Sequence, residues 1–94
     1  EIIYHNSLRE EFDRREIDYT EKERIKVSFK GKQVGIYEPD FVIKDKILIE
    51  IKAVDIMPKI FEKQLYNYLK ATKYKVGLLI NFGGNKLDIR RRIY

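Results

Sequence analysis

The hydrophobic residues of the first half of the chain follow a helical period and then an extended one. Around Leu8, the spacing of Tyr4, His5 and Phe12 predicts a helix over residues 1–16. Residues 25–30 alternate apolar and polar side chains, which predicts a half-exposed strand that turns at residues 31–32. The chain returns over residues 34–43, turns at residues 44–46 and continues as a strongly apolar strand over residues 47–54. The sequence therefore predicts a three-stranded meander.

The second half of the chain predicts a strand–helix–strand unit. Pro58 fits the first position of a helix that runs to about Thr72, with Phe61, Leu65 and Leu69 on one side. Residues 74–82 contain a second fully apolar strand, so the helix is expected to connect parallel strands. A loop at residues 83–85 and a short basic tail follow. The predicted fold class is therefore α/β, with an α+β mixed sheet in the order helix, three-stranded meander, helix and strand.

The composition indicates one small globular domain that covers residues 1–94. Of its residues 44% are hydrophobic and none is cysteine, which excludes disulfides, thiolate metal sites and cysteine nucleophiles. No apolar run approaches the length of about 20 residues that spans a bilayer, so we expect a cytoplasmic protein without a membrane partner. Because the chain opens on Glu1 and not on methionine, the native N-terminus is expected to lie upstream.

The charge balance is compatible with a polyanionic partner without requiring one. Lys and Arg number 20 against 15 Asp and Glu, which gives a net charge of +5. Solvated lysines that keep a small domain in solution explain such an excess equally well. Arg90, Arg91 and Arg92 form the densest basic group and are candidates for contacting phosphates.

Two charged residues interrupt the apolar strand in the middle of the chain. Glu50 and Lys52 lie on the same side of that strand, and Asp40 stands opposite Glu50 across the predicted turn. Burying such charges is costly unless a partner or a metal compensates them. The two carboxylates and the main-chain carbonyl of Ile51 offer the oxygen ligands that Mg²⁺ prefers, and Lys52 would stand beside a metal-bound water. The alternative is an ion pair between Lys52 and one of the carboxylates at the rim of the sheet.

Three further polar residues fall on helix faces predicted to be buried. Glu1 lies on the inward side of the first helix, although a first-turn acid that complements the helix dipole is a simpler explanation. His5, the single histidine, is in such a position more often a packed residue than a ligand. Gln64 falls within the apolar stripe of the second helix, where an amide needs hydrogen-bond partners, and a half-buried amide at the helix edge is an equal alternative.

Taken together, these segments resemble the PD-(D/E)XK nucleases. Pro39-Asp40 followed by Glu50-Ile51-Lys52 is similar to the signature of that superfamily. Residues 64–68 (Q-L-Y-N-Y) are similar to the Q-x-x-x-Y helix motif of its RecB-type members. More narrowly, residues 49–54, 64–72 and 77–83 resemble the small GxxExxR family of bacterial proteins, a likeness that covers essentially the whole chain.

The resemblance implies a restriction-endonuclease-like fold and a Mg²⁺-dependent deoxyribonuclease, with Mn²⁺ expected to substitute. The resemblance implies Asp40 and Glu50 as metal ligands and Lys52 as the catalytic lysine. It also implies site residues on the two helices, namely Gln64 and Tyr68 on the second and Glu1 on the first. DNA is then the expected partner, without a small-molecule cofactor, and the apolar Ile2 and Ile3 offer surface for a homodimer. The alternatives are a non-catalytic nucleic-acid-binding module with a vestigial nuclease site, and RNA as the substrate.

Overall fold

The computed structural model describes residues 1–94 as two helices and seven strands. The helices are α1 (Ile2–Arg14) and α2 (Lys59–Ala71). Five strands form one sheet, which contains, in spatial order, β1 (Tyr19–Glu21), β4 (Phe41–Ile43), β5 (Ile47–Lys52), β6 (Val76–Asn81) and β7 (Asp88–Ile93). The remaining two strands, β2 (Ile25–Phe29) and β3 (Lys32–Tyr37), pair only with each other.

The main sheet carries an apolar cluster on each face. The cluster under α1 contains Phe12, Phe41, Ile49, Ile51 and Ile80. The cluster under α2 is larger and includes Leu48, Leu65, Leu69, Tyr74 and Leu79. Alternate residues of β5 enter the two clusters, so β5 is the strand buried on both faces. The predicted fold class, a mixed α+β sheet with two helices, is confirmed. Neither helix has the length and the apolar character that crossing a membrane requires.

The predicted strand–helix–strand unit is confirmed by the pairing of β5 with β6. These strands run parallel, with Glu50 opposite Leu79, and α2 connects them. The turn between β4 and β5 also lies where it was predicted. Lys44 and Asp45 have φ angles of 52° and 55°, the left-handed values that the tightest antiparallel hairpins use. This turn sets the register of β4 on β5.

The predicted three-stranded meander is wrong, because its first strand leaves the sheet. β2 and β3 pair from Ile25 opposite Tyr37 to Phe29 opposite Lys32, and they form a separate hairpin. The place beside β4 is taken by β1, which lies between the predicted first helix and the predicted first strand, where no strand was predicted. With three residues and no hydrophobic period, β1 is defined only by its pairing and packing in the fold.

The predicted basic tail is also wrong, because residues 88–93 form β7, the last strand of the sheet. β7 runs antiparallel to β6, with Leu79 opposite Arg90 and Gly77 opposite Arg92. Gly77 lies directly under α2, and a Cβ atom there would press into the Leu65 side chain. Asp88, Arg90 and Arg92 are half-buried on one face of β7, whereas Ile89, Arg91 and Ile93 are exposed on the other.

Candidate active site

Asp40 and Glu50 face each other at the ends of neighbouring strands. Because Phe41 pairs with Ile49 in the antiparallel register of β4 and β5, Asp40 falls opposite Glu50. The Asp40 main-chain N–H donates to Glu50 Oε1 at 3.2 Å, and the Ile51 N–H donates to Asp40 Oδ2 at 2.7 Å. Each carboxylate is therefore held by the main chain of the other strand, and the structure brings residues 40 and 50 together as the sequence predicts.

The surroundings of Glu50 disfavour the ionised form of its carboxyl group. Burial raises the pKa of Glu50, and the neighbouring charge of Asp40 raises it further, from 4.5 to about 7. The hydrogen bond from the Asp40 N–H and the positive charge of Lys52 lower this pKa but do not outweigh the first two causes. The fold therefore disfavours the ionised form of Glu50.

Tyr37 and Tyr68 form the wall of the site on the side of α2. Their rings stack with centroids 3.7 Å apart and an angle of 7° between the planes. The Tyr37 hydroxyl is buried without a hydrogen bond of regular geometry, although it lies close enough to Glu50 to interact with it. Burial and the charge of Glu50 both raise the pKa of Tyr37. Tyr68 therefore contacts the site through Tyr37, a residue with no distinguishing signal in the sequence.

His5, Glu21 and Lys22 surround Asp40 on the side of α1. His5 is 5% exposed, stacks on Phe41, and has its Nε2 atom 2.9 Å from Glu21 Oε2. Its Nδ1 atom is buried without a hydrogen-bond partner and lies 3.6 Å from Asp40 Oδ1. Lys22 Nζ lies 3.3 Å from the same oxygen. Glu21 and Lys22 come near Asp40 because β1 lies beside β4, a position that carries no signal in the sequence.

Lys52 shares a face of β5 with Glu50 but is not paired with a carboxylate. Its Nζ atom lies over the Phe61 ring of α2, 4.7 Å from the ring centroid. Asp40 forms its ion pair with Lys22, and no ion pair joins Lys52 to Asp40 or Glu50. A structural ion pair at the rim of the sheet therefore does not explain why Lys52 stands here.

Nearly the whole chain matches one family description. A family model of the PD-(D/E)XK nuclease superfamily matches residues 1–92. The chain belongs to this superfamily. Pro39-Asp40 and Glu50-Ile51-Lys52 supply the P-D and E-x-K elements of the superfamily's name. A comparison with curated proteins finds no match.

Two solved structures share the fold of this PD-(D/E)XK chain. The crystal structure of SSO0001 is 22% identical with a TM-score of 0.69, and the match covers 97% of this chain and 48% of that one. The alkaline exonuclease LHK-Exo from Laribacter hongkongensis is 17% identical with a TM-score of 0.66, with 94% and 53% of the two chains covered. At these identities the likeness concerns the fold, and it confirms the predicted restriction-endonuclease-like core. The chain spans about half the length of either protein.

The donor atoms of this PD-(D/E)XK site suit a hard divalent cation such as Mg²⁺. Asp40, Glu50 and the main-chain carbonyl of Ile51 offer oxygen ligands. Burial and the charge of Asp40 raise the pKa of Glu50, and a bound cation would oppose both by stabilising the ionised carboxylate. No group of three or more His, Asp or Glu side chains is arranged to hold a metal ion by itself. Water and substrate oxygens would therefore have to complete the coordination, as is common for Mg²⁺.

Gln64 and Glu1 are both exposed. Gln64 stands beside the packed stripe of α2 and not within it. It is one helical turn from both Phe61 and Tyr68, which pack against residues of the site. Glu1 is exposed just before α1, where its main-chain carbonyl accepts a hydrogen bond from the His5 N–H at 3.0 Å. The functional roles of Gln64 and Glu1 stay predictions.

The three arginines predicted to contact phosphate differ in their surroundings. Arg90 donates to Glu62 of α2 and to Asp88, and Arg92 lies 3.8 Å from Glu62. Arg91 points to the opposite face of β7 and is exposed without a carboxylate partner. Internal ion pairs therefore occupy Arg90 most, whereas Arg91 is the most available of the three for a phosphate.

Proposed function

We propose that this chain is a metal-dependent nuclease that hydrolyses DNA phosphodiester bonds at Asp40, Glu50 and Lys52. One arrangement carries the proposal: two carboxylates, one with a raised pKa, stand beside an unpaired lysine in a member of a nuclease superfamily. A vestigial site is expected to have lost at least one of these groups, and all three are present.

In the proposed reaction the protein supplies charge and orientation. Asp40, Glu50 and the carbonyl of Ile51 would hold Mg²⁺, for which Mn²⁺ is expected to substitute. Bound there, the ion would supply Lewis acidity and a water of lowered pKa. The Lys52 ammonium would neutralise the negative charge that grows on the phosphate oxygens during hydrolysis. Tyr37 would shield the buried carboxyl of Glu50 from bulk water.

The narrower assignment to the GxxExxR family, a RecB-like branch of the superfamily, is part of this proposal. It is supported by Gln64 and Tyr68, which lie one turn apart on α2, and by the stacking of Tyr68 on Tyr37 beside Glu50. We expect the Gln64 amide to donate to a phosphate oxygen and Tyr68 to hold Tyr37 in place. Glu1, one turn before His5, is the proposed additional acid.

The proposed partner is DNA, bound by a protein that acts as a homodimer. The alkaline exonuclease among the structural neighbours supports a nuclease as the class of function. Ile2 and Ile3 are 66% and 73% exposed, which leaves available the apolar surface expected to contact a second copy. Two copies would supply one such site for each strand of a duplex.

The test is cleavage of plasmid and oligonucleotide DNA by the purified protein, with Mg²⁺ and with a chelator as the control. Asp40→Asn and Glu50→Gln keep a hydrogen-bond acceptor while removing a charge, and Lys52→Met keeps an apolar stem against Phe61. Each substitution should lower the rate at least about 100-fold, the usual scale for losing one electrostatic group at a reacting centre.

Two exposed residues provide matched controls for charge removal. Glu10→Gln on α1 and Lys70→Ala on α2 should leave the cleavage rate at the wild-type level, since neither residue contacts the site. Undiminished cleavage by all three site variants would remove the site from the mechanism. Salt-dependent DNA binding without cleavage of any substrate would favour the alternative of a binding module. Cleavage of RNA alone would exclude DNA as the substrate.

A further inference from the structure

The β2–β3 hairpin is the part of the fold with the least support from its surroundings. It pairs with no other strand, and an isolated two-stranded hairpin is only marginally stable in water. Ile25, Val27 and Tyr37 anchor one end of it by packing against the cluster under α2. All residues from 28 to 36 are exposed, so the other end projects into solvent.

The projecting end of the hairpin presents apolar side chains to solvent. Phe29 is 62% exposed, Val34 63% and Ile36 44%. Lys30 lies over the Phe29 ring, with its Nζ atom 5.4 Å from the ring centroid. Both edges of the hairpin have unpaired main-chain groups, so exposed apolar residues here are an aggregation hazard unless a partner covers them.

The charges of the hairpin are all positive. Lys26, Lys30 and Lys32 lie on it, and no acidic residue occurs between Ile25 and Tyr37. The surfaces of most proteins mix both signs of charge, whereas a nucleic acid presents one negative charge per nucleotide. Three lysines without an acid therefore favour a polyanion over another protein as the partner of this surface.

The anchored end of the hairpin is part of the candidate active site. Tyr37, the last residue of β3, stacks on Tyr68 and lies beside Glu50, and Asp40 follows three residues later. β2 has five residues, so at about 3.4 Å per residue the hairpin extends about 17 Å from this point. This length corresponds to about five base pairs of duplex DNA.

We propose that the β2–β3 hairpin is a DNA-contacting arm that holds the duplex beside the bond to be cut. The inference rests on the proposed nuclease function and adds the surface that binds the substrate. The lysines contact phosphates on the side of the cleavage point toward which the hairpin extends. A two-stranded ribbon fits the major groove, where Phe29 and Val34 meet the apolar edges of the bases.

DNA binding without cleavage tests the arm directly. Fluorescence anisotropy of labelled duplexes is measured in a chelator at salt concentrations from about 50 to 200 mM. The combined variant Lys26→Ala, Lys30→Ala and Lys32→Ala should have a smaller salt dependence, with a logarithmic slope reduced by about 2 to 3. Its affinity should fall at least about tenfold. Lys26, Lys30 and Lys32 are all exposed, so the circular dichroism spectrum of this variant should match that of the wild type.

A second triple variant controls for the loss of charge. Lys46→Ala, Lys70→Ala and Lys75→Ala remove the same charge from exposed positions outside the hairpin, and this variant should keep the wild-type slope. Phe29→Ala should weaken binding about fivefold while leaving the slope unchanged, because it removes apolar contact and no charge.

The length of the duplex provides a test that distinguishes a contact made by the hairpin from a general attraction between opposite charges. Shortening the DNA to fewer than about five base pairs on one side of the cleavage point should weaken binding by the wild type. The same shortening should leave the hairpin variant nearly unchanged, since that variant has already lost the contact.

The outcomes separate the arm from the nuclease function. If the hairpin variant and the control variant have equal salt-dependence slopes and equal affinities, the proposal that the hairpin contacts DNA is overturned. If the wild type still cleaves DNA with Mg²⁺ in that case, the proposed function stands without it. A wild type that neither binds nor cleaves any DNA would overturn the function and the arm together.

Discussion

The raised pKa of Glu50 predicts that the proposed catalytic carboxylate destabilises the fold while no cation is bound. Replacing Glu50 by Gln removes the charge, changes the volume of the side chain little, and keeps an oxygen that accepts the hydrogen bond from the Asp40 N–H. In a chelator at pH 8.5, the variant should therefore be more stable than the wild type, while it should be inactive as a nuclease.

The expected gain in the free energy of unfolding follows from the difference in the pKa of Glu50 between the folded and the unfolded chain. The folded protein favours the protonated form of Glu50, since its pKa rises from 4.5 to about 7. This preference stabilises the fold in full below pH 4.5 and is lost as the pH rises through 7. At about 1.36 kcal/mol per pH unit, the full difference corresponds to about 3 kcal/mol. Gln brings two N–H donors that need partners, so we expect a net gain of about 2 kcal/mol at pH 8.5.

The assay is urea denaturation of both proteins in a chelator, from pH 5 to 8.5, followed by circular dichroism or by tyrosine fluorescence. The free energies of unfolding should be similar near pH 5, should diverge as the pH rises to about 7, and should then stay apart by a constant amount in favour of the variant. For a domain of this size, about 2 kcal/mol corresponds to about 10 °C in melting temperature. Adding Mg²⁺ at pH 8.5 should stabilise the wild type and leave the variant unchanged, because the variant lacks one of the proposed ligands.

Parallel stability curves for the two proteins over this pH range would refute the reasoning, because they would mean that Glu50 ionises in the fold as easily as in the unfolded chain. Glu10→Gln is the matched control. The Glu10 side chain is exposed on α1 and makes no hydrogen bond or ion pair, so its replacement should leave the pH profile of the wild type unchanged.

Three further predictions concern residues that hold the sheet and its loops. Gly83→Ala should lower the free energy of unfolding by about 2 kcal/mol in urea denaturation, because its Cβ would overlap the main chain of Ala53 and Val54. Gly84→Ala, whose Cβ would have no neighbour closer than 3.5 Å, is the control, and equal losses would contradict the overlap. Asn81→Ala should cost about 3 kcal/mol in the same assay, since it removes three hydrogen bonds of a side chain only 2% exposed; a loss below about 1 kcal/mol would mean that water replaces them. Burial and a hydrogen bond to Asp45 raise the pKa of Tyr74 from 10.0 to about 12, so its stabilising contribution is present below pH 10 and is lost as the pH rises through 12. Stability measured between pH 10 and 12 should therefore fall less steeply for Tyr74→Phe, and equal slopes would exclude this role for Tyr74.

The elements that could be predicted from sequence are those whose hydrophobic pattern is long enough to be read locally. α2 has Leu65 and Leu69 on one face over 13 residues, and β5 is apolar on both faces except at its charged positions. The turn at Lys44 and Asp45 lies between two such segments, so the antiparallel pairing of β4 with β5 could also be expected. In these segments, local preference and the final fold agree.

The arrangement of the short strands could not be predicted in the same way. β1 has three residues, and Tyr19 is its one large apolar side chain, so its position depends on packing against Phe12 and Phe41 from distant segments. β2 alternates like a sheet strand, yet it pairs only with β3 because β1 occupies the edge of β4. Alternation indicates that a segment is a strand but not which strand it joins.

By itself, the sequence determined that Asp40 and Glu50 meet, because a tight turn leaves one register for the strands on either side of it. It also determined that Lys52 shares the side of Glu50, because side chains in a strand alternate. Only the tertiary structure decided that His5 and Lys22 gather around Asp40 and that Tyr68 reaches the site through Tyr37. The physical reason is that strand register is a property of a few adjacent residues. The packing of α1, β1 and α2 around the site depends instead on many weak contacts between segments far apart in the chain.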